Sequence, residues 1–191
     1  MSFFPSVIEK LGRTSKSFDL PTKLLQNRII YLNGEIDNSA CTNIIMQLLW
    51  LNSDNPTEPI DLYISSVGGS VYSGLAIKDV IYSIESKVNT HGIEFCASMG
   101  AYLLASGTGT RKCTENTRIM IHSVSSGMYG TIHDIEIDFN ESKYLQDKIL
   151  SDMVTFSKGK STLEDMKKRT QRDYFMGYEE AIKIGLIDSK I

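Results

Sequence analysis

Four short stretches of the chain carry residue types that could do chemistry. The first is Cys96-Ala97-Ser98-Met99-Gly100-Ala101. Here a serine opens a helix of small residues directly after a strand. Backbone N–H groups at a helix start lack intrahelical acceptors and carry a positive partial charge. A nucleophilic oxygen at that point sits beside donors able to hold a developing oxyanion. Serines also serve as N-caps at the same point, so Ser98 alone does not separate the two roles. The stretch is half of a nucleophile elbow. Gly100 fits G-x-S-x-G, but Cys96 stands in place of its first glycine, so it is not an α/β-hydrolase signature.

The second stretch, Ser65-Ser66-Val67-Gly68-Gly69, closes a buried strand. Paired glycines admit a ligand backbone at close range. Their N–H groups can donate to an oxyanion or to an extended peptide; the same pair can simply make a strand-to-helix turn. The third is His122, which ends the strand Arg118-Ile119-Met120-Ile121 beside a Gly/Ser-rich segment. A general base fits there, as does a hydrogen-bonded structural histidine. His91 is the nearest competitor and a possible neighbour of Ser98, whereas His133 falls in a polar stretch and is expected at the surface. The fourth is Gln171-Arg172-Asp173-Tyr174-Phe175. Asp173 can orient a histidine and stabilise its imidazolium, or cap a surface turn. Each stretch is ambiguous alone. Together, in the order Ser, His, Asp, they point to nucleophilic hydrolysis.

The elements that must position these residues alternate. Residues up to about 20 read as a weakly structured arm, followed by a short helix over Pro21 to Gln26. Strands are expected at Arg28–Leu32, Ile60–Ile64, Lys87–His91 and Arg118–His122. Helices are expected at Asn38–Asn52, Val71–Glu85, Ala97–Ser106, Asp134–Phe156, Thr162–Arg169 and Tyr178–Ile184. Strands alternating with helices predict a layered α/β domain with right-handed crossovers. Ser123 to Asp138 breaks the alternation and is expected to project from the body. No domain boundary and no internal repeat is visible.

Composition narrows the function classes. At 191 residues the chain suits one domain with a sizeable core. A formal charge of −3 leaves no electrostatic footprint for nucleic acid. The run Lys167-Lys168-Arg169 reads as a solvated helix face. Cys41, Cys96 and Cys113 are odd in number and widely spaced, which argues against a disulfide framework or a zinc site and fits a reducing, cytoplasmic setting. No apolar run approaches the roughly 20 residues that cross a bilayer, so no membrane partner is expected. Met1 to Pro5 lacks the features of a secretory signal. Neither a metal nor a cofactor is called for.

Over nearly its whole length the sequence resembles the ClpP peptidases, the proteolytic subunits of ATP-dependent Clp proteases. The likeness rests on Val7-Ile8-Glu9, Ser17-Phe18-Asp19, Leu24-Leu25 and Arg28-Ile29-Ile30. It continues through Asp61-Leu62-Tyr63-Ile64-Ser65, Ala97-Ser98-Met99-Gly100-Ala101, Met120-Ile121-His122 and Asp134-Ile135-Glu136-Ile137, and closes with Arg172-Asp173-Tyr174-Phe175 and Gly185-Leu186-Ile187-Asp188. The resemblance implies a crotonase-like α/β fold of repeated ββα units, a single peptidase domain over 1–191, an N-terminal axial arm over 1–19 and a strand-helix handle over about 123–156. It implies a triad of Ser98, His122 and Asp173, with an oxyanion hole from the N–H groups of Gly69 and Met99. Substrate is expected to lie extended between Gly68-Gly69 and a strand running from Ser123-Val124 to Gly127, paired by β-addition. The implied partners are unfolded polypeptides, homo-heptameric rings stacked as a tetradecamer, and a Clp-family ATPase unfoldase. The chain supplies no ATPase itself: Gly159-Lys160-Ser161 resembles the end of a Walker A loop, but Val154 stands where its first glycine belongs.

Departures from the family pattern cluster. Val67, Ser123-Val124 and Ser125-Ser126 fall in the expected cleft. Thr131 and Gln171 fall at the expected ring contact, and Ser83 and Asp61 near the expected ATPase cleft, where Trp50 and Tyr63 remain apt lining residues. They suggest a divergent, paralogue-like subunit. The alternative reading is a poorly active structural or regulatory subunit that needs a second ClpP paralogue in a mixed complex. A crotonase-type enzyme acting on acyl-CoA shares the implied fold, but the ordered Ser, His and Asp argue against it.

Overall fold

The computed structural model describes residues 5–11 and 14–191. Met1 to Phe4, Gly12 and Arg13 lie outside the described residues, and with them most of the Met1–Pro5 reading.

The described residues of the arm form two paired strands. Strand β1 (Ser6–Leu11) pairs antiparallel with β2 (Thr14–Asp19), from Ser6↔Asp19 to Leu11↔Thr14. No periodicity announces the pair because it covers no core: Ile8, for instance, is exposed. Helix α1 (Leu20–Gln26) follows, its N-terminus capped by the Asp19 carboxylate accepting from Thr22 N–H.

The body alternates as expected: β3 (Ile29–Ile36), α2 (Asn38–Asp54), β4 (Ile60–Gly69), α3 (Val71–Ser83), β5 (Val88–Ala97) and α4 (Met99–Ala105). Strands β3, β4 and β5 are mutually parallel. Their inward residues, among them Ile30, Leu32, Leu62, Ile64 and Val88, are buried against Leu48, Leu51, Ile77 and Ile81 of α2 and α3. Burial of such side chains is the main stabilising term.

Strand β5 serves two neighbours end to end. Its first half, Thr90–Gly92, pairs parallel with β6 (Arg111–Cys113), which in turn pairs with β9 (Ser189–Lys190). Its second half, Phe95–Ala97, pairs parallel with β7 (Arg118–Ile121). Between the halves Glu94 adopts φ 57°, and the β4–β5 register slips between Ile64 and Ser66. The Glu94 carboxylate accepts from Ser65 Oγ–H at 2.7 Å, bracing the kink.

Helix α5 (Ile132–Phe156) starts with a capping box between Thr131 and Asp134. Its first turns are exposed, and only its second half is buried, at Leu145, Leu150, Asp152, Met153 and Phe156. Helix α6 (Leu163–Thr170) has a second capping box, Thr162 with Asp165. Lys167 and Lys168 are exposed, while Arg169 hydrogen-bonds Tyr174 and Glu180. Strand β8 (Tyr174–Met176) pairs antiparallel with β7, and α7 (Tyr178–Ile184) leads to β9. Residues 122–130 contain neither helix nor strand. The strand expected over Ser123–Gly127 is therefore not laddered among the described residues: a strand needs a partner for its backbone groups, and none of the described strands pairs with it.

Candidate active site

Three strand ends meet at one edge of the sheet. Ser98 directly follows β5, and its N–H donates to the Met120 carbonyl of β7 at 2.8 Å. His122 directly follows β7. The β7–β8 register pairs Ile119 with Met176, Met120 with Phe175 and Ile121 with Tyr174, and His122 and Asp173 each lie one residue beyond that last pair. Parallel pairing of β5 with β7 and antiparallel pairing of β7 with β8 thus gather the predicted Ser, His and Asp from distant points in the chain.

Ser98 occupies the N-cap position of α4 without capping it. Its side chain makes no cap hydrogen bond, and its backbone is at φ 54°, ψ −122°. A non-glycine residue held there stores about 1–3 kcal/mol of strain and persists only where its surroundings fix it. They do so here: the Ser98 carbonyl accepts from Tyr102 N–H at 3.0 Å. Gly68 lies against the same residue, and a Cβ built on Gly68 would come 2.7 Å from the Ser98 Cβ and 3.1 Å from the Met99 nitrogen. Only a glycine at φ +96° lets the β4 turn come so close. The Ser66 hydroxyl, which sequence reasoning missed, accepts from Gly68 N–H at 3.1 Å and donates to the Gly34 carbonyl at 2.6 Å, holding that turn.

A cavity of about 60 Å³ opens beside Ser98. Gly69, Met99, His122, Ser123 and Val124, all named from sequence, line it with Ser98. Tyr102, Ile121, Ile149 and Met153 add apolar wall that the sequence reading did not assign; the signal available was the i, i+4 spacing of Ile149 and Met153 on α5. The N–H of Met99, first residue of α4, has no acceptor within its own helix, which suits it to meet an oxyanion. Ser123 Oγ–H donates to the Thr170 carbonyl at 2.6 Å, and Val124 N–H to Gln146 Oε1 at 2.6 Å, so this wall is tied to α6 and α5.

Asp173 stands apart from the cavity lining and is exposed, while Ser98 and His122 are half-buried. Among the described residues no hydrogen bond joins Ser98 to His122 or His122 to Asp173. His91 is no neighbour of Ser98. It lies in the first half of β5, its Nε2 2.7 Å from Asp61 Oδ1 and its ring stacked on Tyr63 at 4.6 Å. That pair explains the charge at Asp61. His133 is exposed in the first turn of α5. Cys96, two residues before Ser98, is no rival nucleophile: burial pushes its thiol up to about 12. Cys41, Cys96 and Cys113 are free thiols.

The sequence matches the Clp protease family over residues 12–191. The chain belongs to the Clp protease family. Its largely parallel sheet covered by helices is the crotonase-like fold of that family. Clp proteases of this kind are serine peptidases that form rings and work with Clp ATPases. Among the described residues no helix is long and apolar enough to cross a membrane.

Proposed function

We propose that the chain is the serine endopeptidase subunit of a barrel-shaped Clp protease, hydrolysing unfolded polypeptides fed to it by an ATPase unfoldase. Convergence of Ser98, His122 and Asp173 on adjacent strand ends carries this reading. Ser98 Oγ attacks the peptide carbonyl while His122 takes its proton. The N–H groups of Gly69 and Met99 hold the oxyanion, and loss of one such donor typically costs about 3 kcal/mol of transition-state stabilisation. As the tetrahedral intermediate collapses, His122 returns the proton to the leaving amine. Water then attacks the acyl-enzyme by the same route, with Asp173 orienting the imidazole throughout. Gly68, Gly69, Ser123 and Val124 line the substrate path, which favours an extended peptide read mainly through its backbone. The working particle is a tetradecamer of two stacked heptameric rings in the cytoplasm. The exposed apolar residues Ile132, Ile137 and Phe139 of α5 support a contact between subunits there.

A second reading has an observation in its favour. The triad residues are not hydrogen-bonded to one another in the single chain, and Asp173 is exposed. On this reading the chain is a poorly active subunit that a second ClpP paralogue must align within a mixed complex. One experiment tests both. Cleavage of a fluorogenic peptide is measured beside Ser98→Ala, with particle mass in the same buffer. Activity from a tetradecamer that vanishes in Ser98→Ala establishes the first reading. An assembled but silent particle that gains activity on adding the paralogue establishes the second.

A further inference from the structure

Tyr102 is the one residue of α4 with a polar side-chain group; its neighbours are Met99, Gly100, Ala101, Leu103, Leu104 and Ala105. It is 1% exposed, and its hydroxyl donates to Asp152 Oδ2 of α5 at 2.7 Å. Asp152 is itself buried at 8%. Its other oxygen accepts from Lys148 Nζ at 2.8 Å, and Lys78 Nζ of α3 stands 3.8 Å from Oδ2. Lys78 also faces Asp79 at 3.3 Å and the Tyr82 ring at 4.9 Å. The Tyr102 ring packs on Phe156 at 5.4 Å. A carboxylate in an otherwise apolar layer carries a desolvation cost and needs such partners.

The location gives this cluster its meaning. Ser98 is held in its left-handed conformation from two sides: by Met120 through its N–H and by Tyr102 through its carbonyl. Met120 belongs to the sheet. Among the described residues Tyr102 has one directional side-chain tie, and that tie runs to α5. Burial, reinforced by the Asp152 carboxylate, raises the Tyr102 phenol well above its ordinary value, so it remains a donor at every working pH.

We propose that Tyr102 and Asp152 are positioning residues for Ser98, fixing the start of α4 against α5 so that the placement of α5 sets the aim of the nucleophile. This rests on Ser98 being the nucleophile. Neither residue takes part in bond making.

The test uses the assembled protein as wild type, Tyr102→Phe, Asp152→Asn and the double variant Tyr102→Phe/Asp152→Leu. The readouts are the second-order rate of fluorophosphonate labelling, kcat and KM on a fluorogenic peptide, Tm, and hydrogen exchange of the 98–106 segment. Tyr102→Phe should lower labelling and kcat about tenfold with KM unchanged, since misplacement by a fraction of an ångström already costs rate. Asp152→Asn, which keeps an acceptor for the phenol, should stay within about threefold of wild type. The double variant, with both partners apolar, should keep its Tm yet remain about tenfold slow. Recovery of the wild-type rate in the double variant, or an unchanged rate in Tyr102→Phe, overturns the proposal and leaves only packing. If the wild type neither labels nor cleaves, it is the reading of Ser98 that fails. Hydrogen exchange then decides the anchor: faster exchange of 98–106 in Tyr102→Phe upholds it, and unchanged exchange overturns it.

Discussion

Replacing Gly68 by alanine adds one carbon at a place where the structure leaves no room for it. The new Cβ would lie 2.7 Å from the Ser98 Cβ and 2.9 Å from the Ala97 carbonyl oxygen. Carbon atoms rest at about 3.5–4.0 Å, so the two segments must part by about 1 Å. Gly68 is tied through its N–H to the Ser66 hydroxyl and Ser98 through its N–H and carbonyl to Met120 and Tyr102, so the strain falls on the contact between them and shifts Ser98 with it. A displacement of about 1 Å at a reacting atom costs about 100-fold in rate, or about 2.7 kcal/mol of barrier. Alanine at φ +96° adds strain of about 1–2 kcal/mol to the fold itself. Gly159→Ala separates the two effects: Gly159 has φ +84° and nothing within 4 Å of its would-be Cβ. The assay is kcat/KM on a fluorogenic peptide for both variants in assembled form, with Tm alongside. Gly159→Ala should lose stability and keep its rate, whereas Gly68→Ala should lose about 100-fold in kcat/KM. A Gly68→Ala enzyme within threefold of wild type would refute the argument that the glycine turn sets the position of Ser98.

Two further predictions concern the scaffold. Arg111 is 1% exposed and donates to the carbonyls of Ala105, Phe156 and Gly185 and to the Asp188 carboxylate, joining the ends of α4, α5 and α7. Arg111→Ala leaves three buried carbonyls without their donor and Asp188 with only Lys158 and the residue-111 N–H, and should cost about 3–5 kcal/mol in denaturant unfolding. Asp188 titrates below its ordinary 3.8: burial opposes ionisation, but the Arg111 hydrogen bonds and charge, with Lys158, outweigh it. A carboxyl lowered on folding adds stability above its unfolded value and loses it as pH falls toward the folded one. The Tm gap between wild type and Asp188→Asn should therefore be full at neutral pH and narrow as pH drops below 3.8; a gap that stays constant would contradict the pairing.

The sequence was most legible where a long element buries one face. Helix α2, expected over Asn38–Asn52, spans Asn38–Asp54, and α5, expected over Asp134–Phe156, spans Ile132–Phe156. Strand β4 was read only to Ile64 because Ser65-Ser66 interrupts the apolar run, yet it continues to Gly69 as those serines bond inward. Strands β6, β8 and β9 went unread: two or three residues are too few to show a period, and such strands exist because a longer neighbour supplies the ladder. At the site, Ser98 opens a recognisable helix and His122 closes a recognisable strand, whereas nothing local marks Asp173, which precedes the unread β8. The Tyr102–Asp152 bond could not be read: its halves are separated by two further strands, and nothing local marks an aspartate within an amphipathic helix as buried.

The kink at Glu94 divides the sheet mechanically. On one side, β3, β4 and the first half of β5 form a long laminate with a helix-covered core. On the other, the ladder of β7 and β8 pairs with β5 over Phe95, Cys96 and Ala97, continued by the Ser98 N–H to Met120 carbonyl hydrogen bond and the Phe95–Phe175 ring contact at 6.3 Å. Few bonds resist its opening, so its backbone should exchange with solvent at a lower free energy than that of β3 and β4. Two members of the proposed triad flank this lighter ladder, and the third follows the half of β5 that carries it. A push on β8 should therefore shift the proposed catalytic edge while the body of the subunit stays folded.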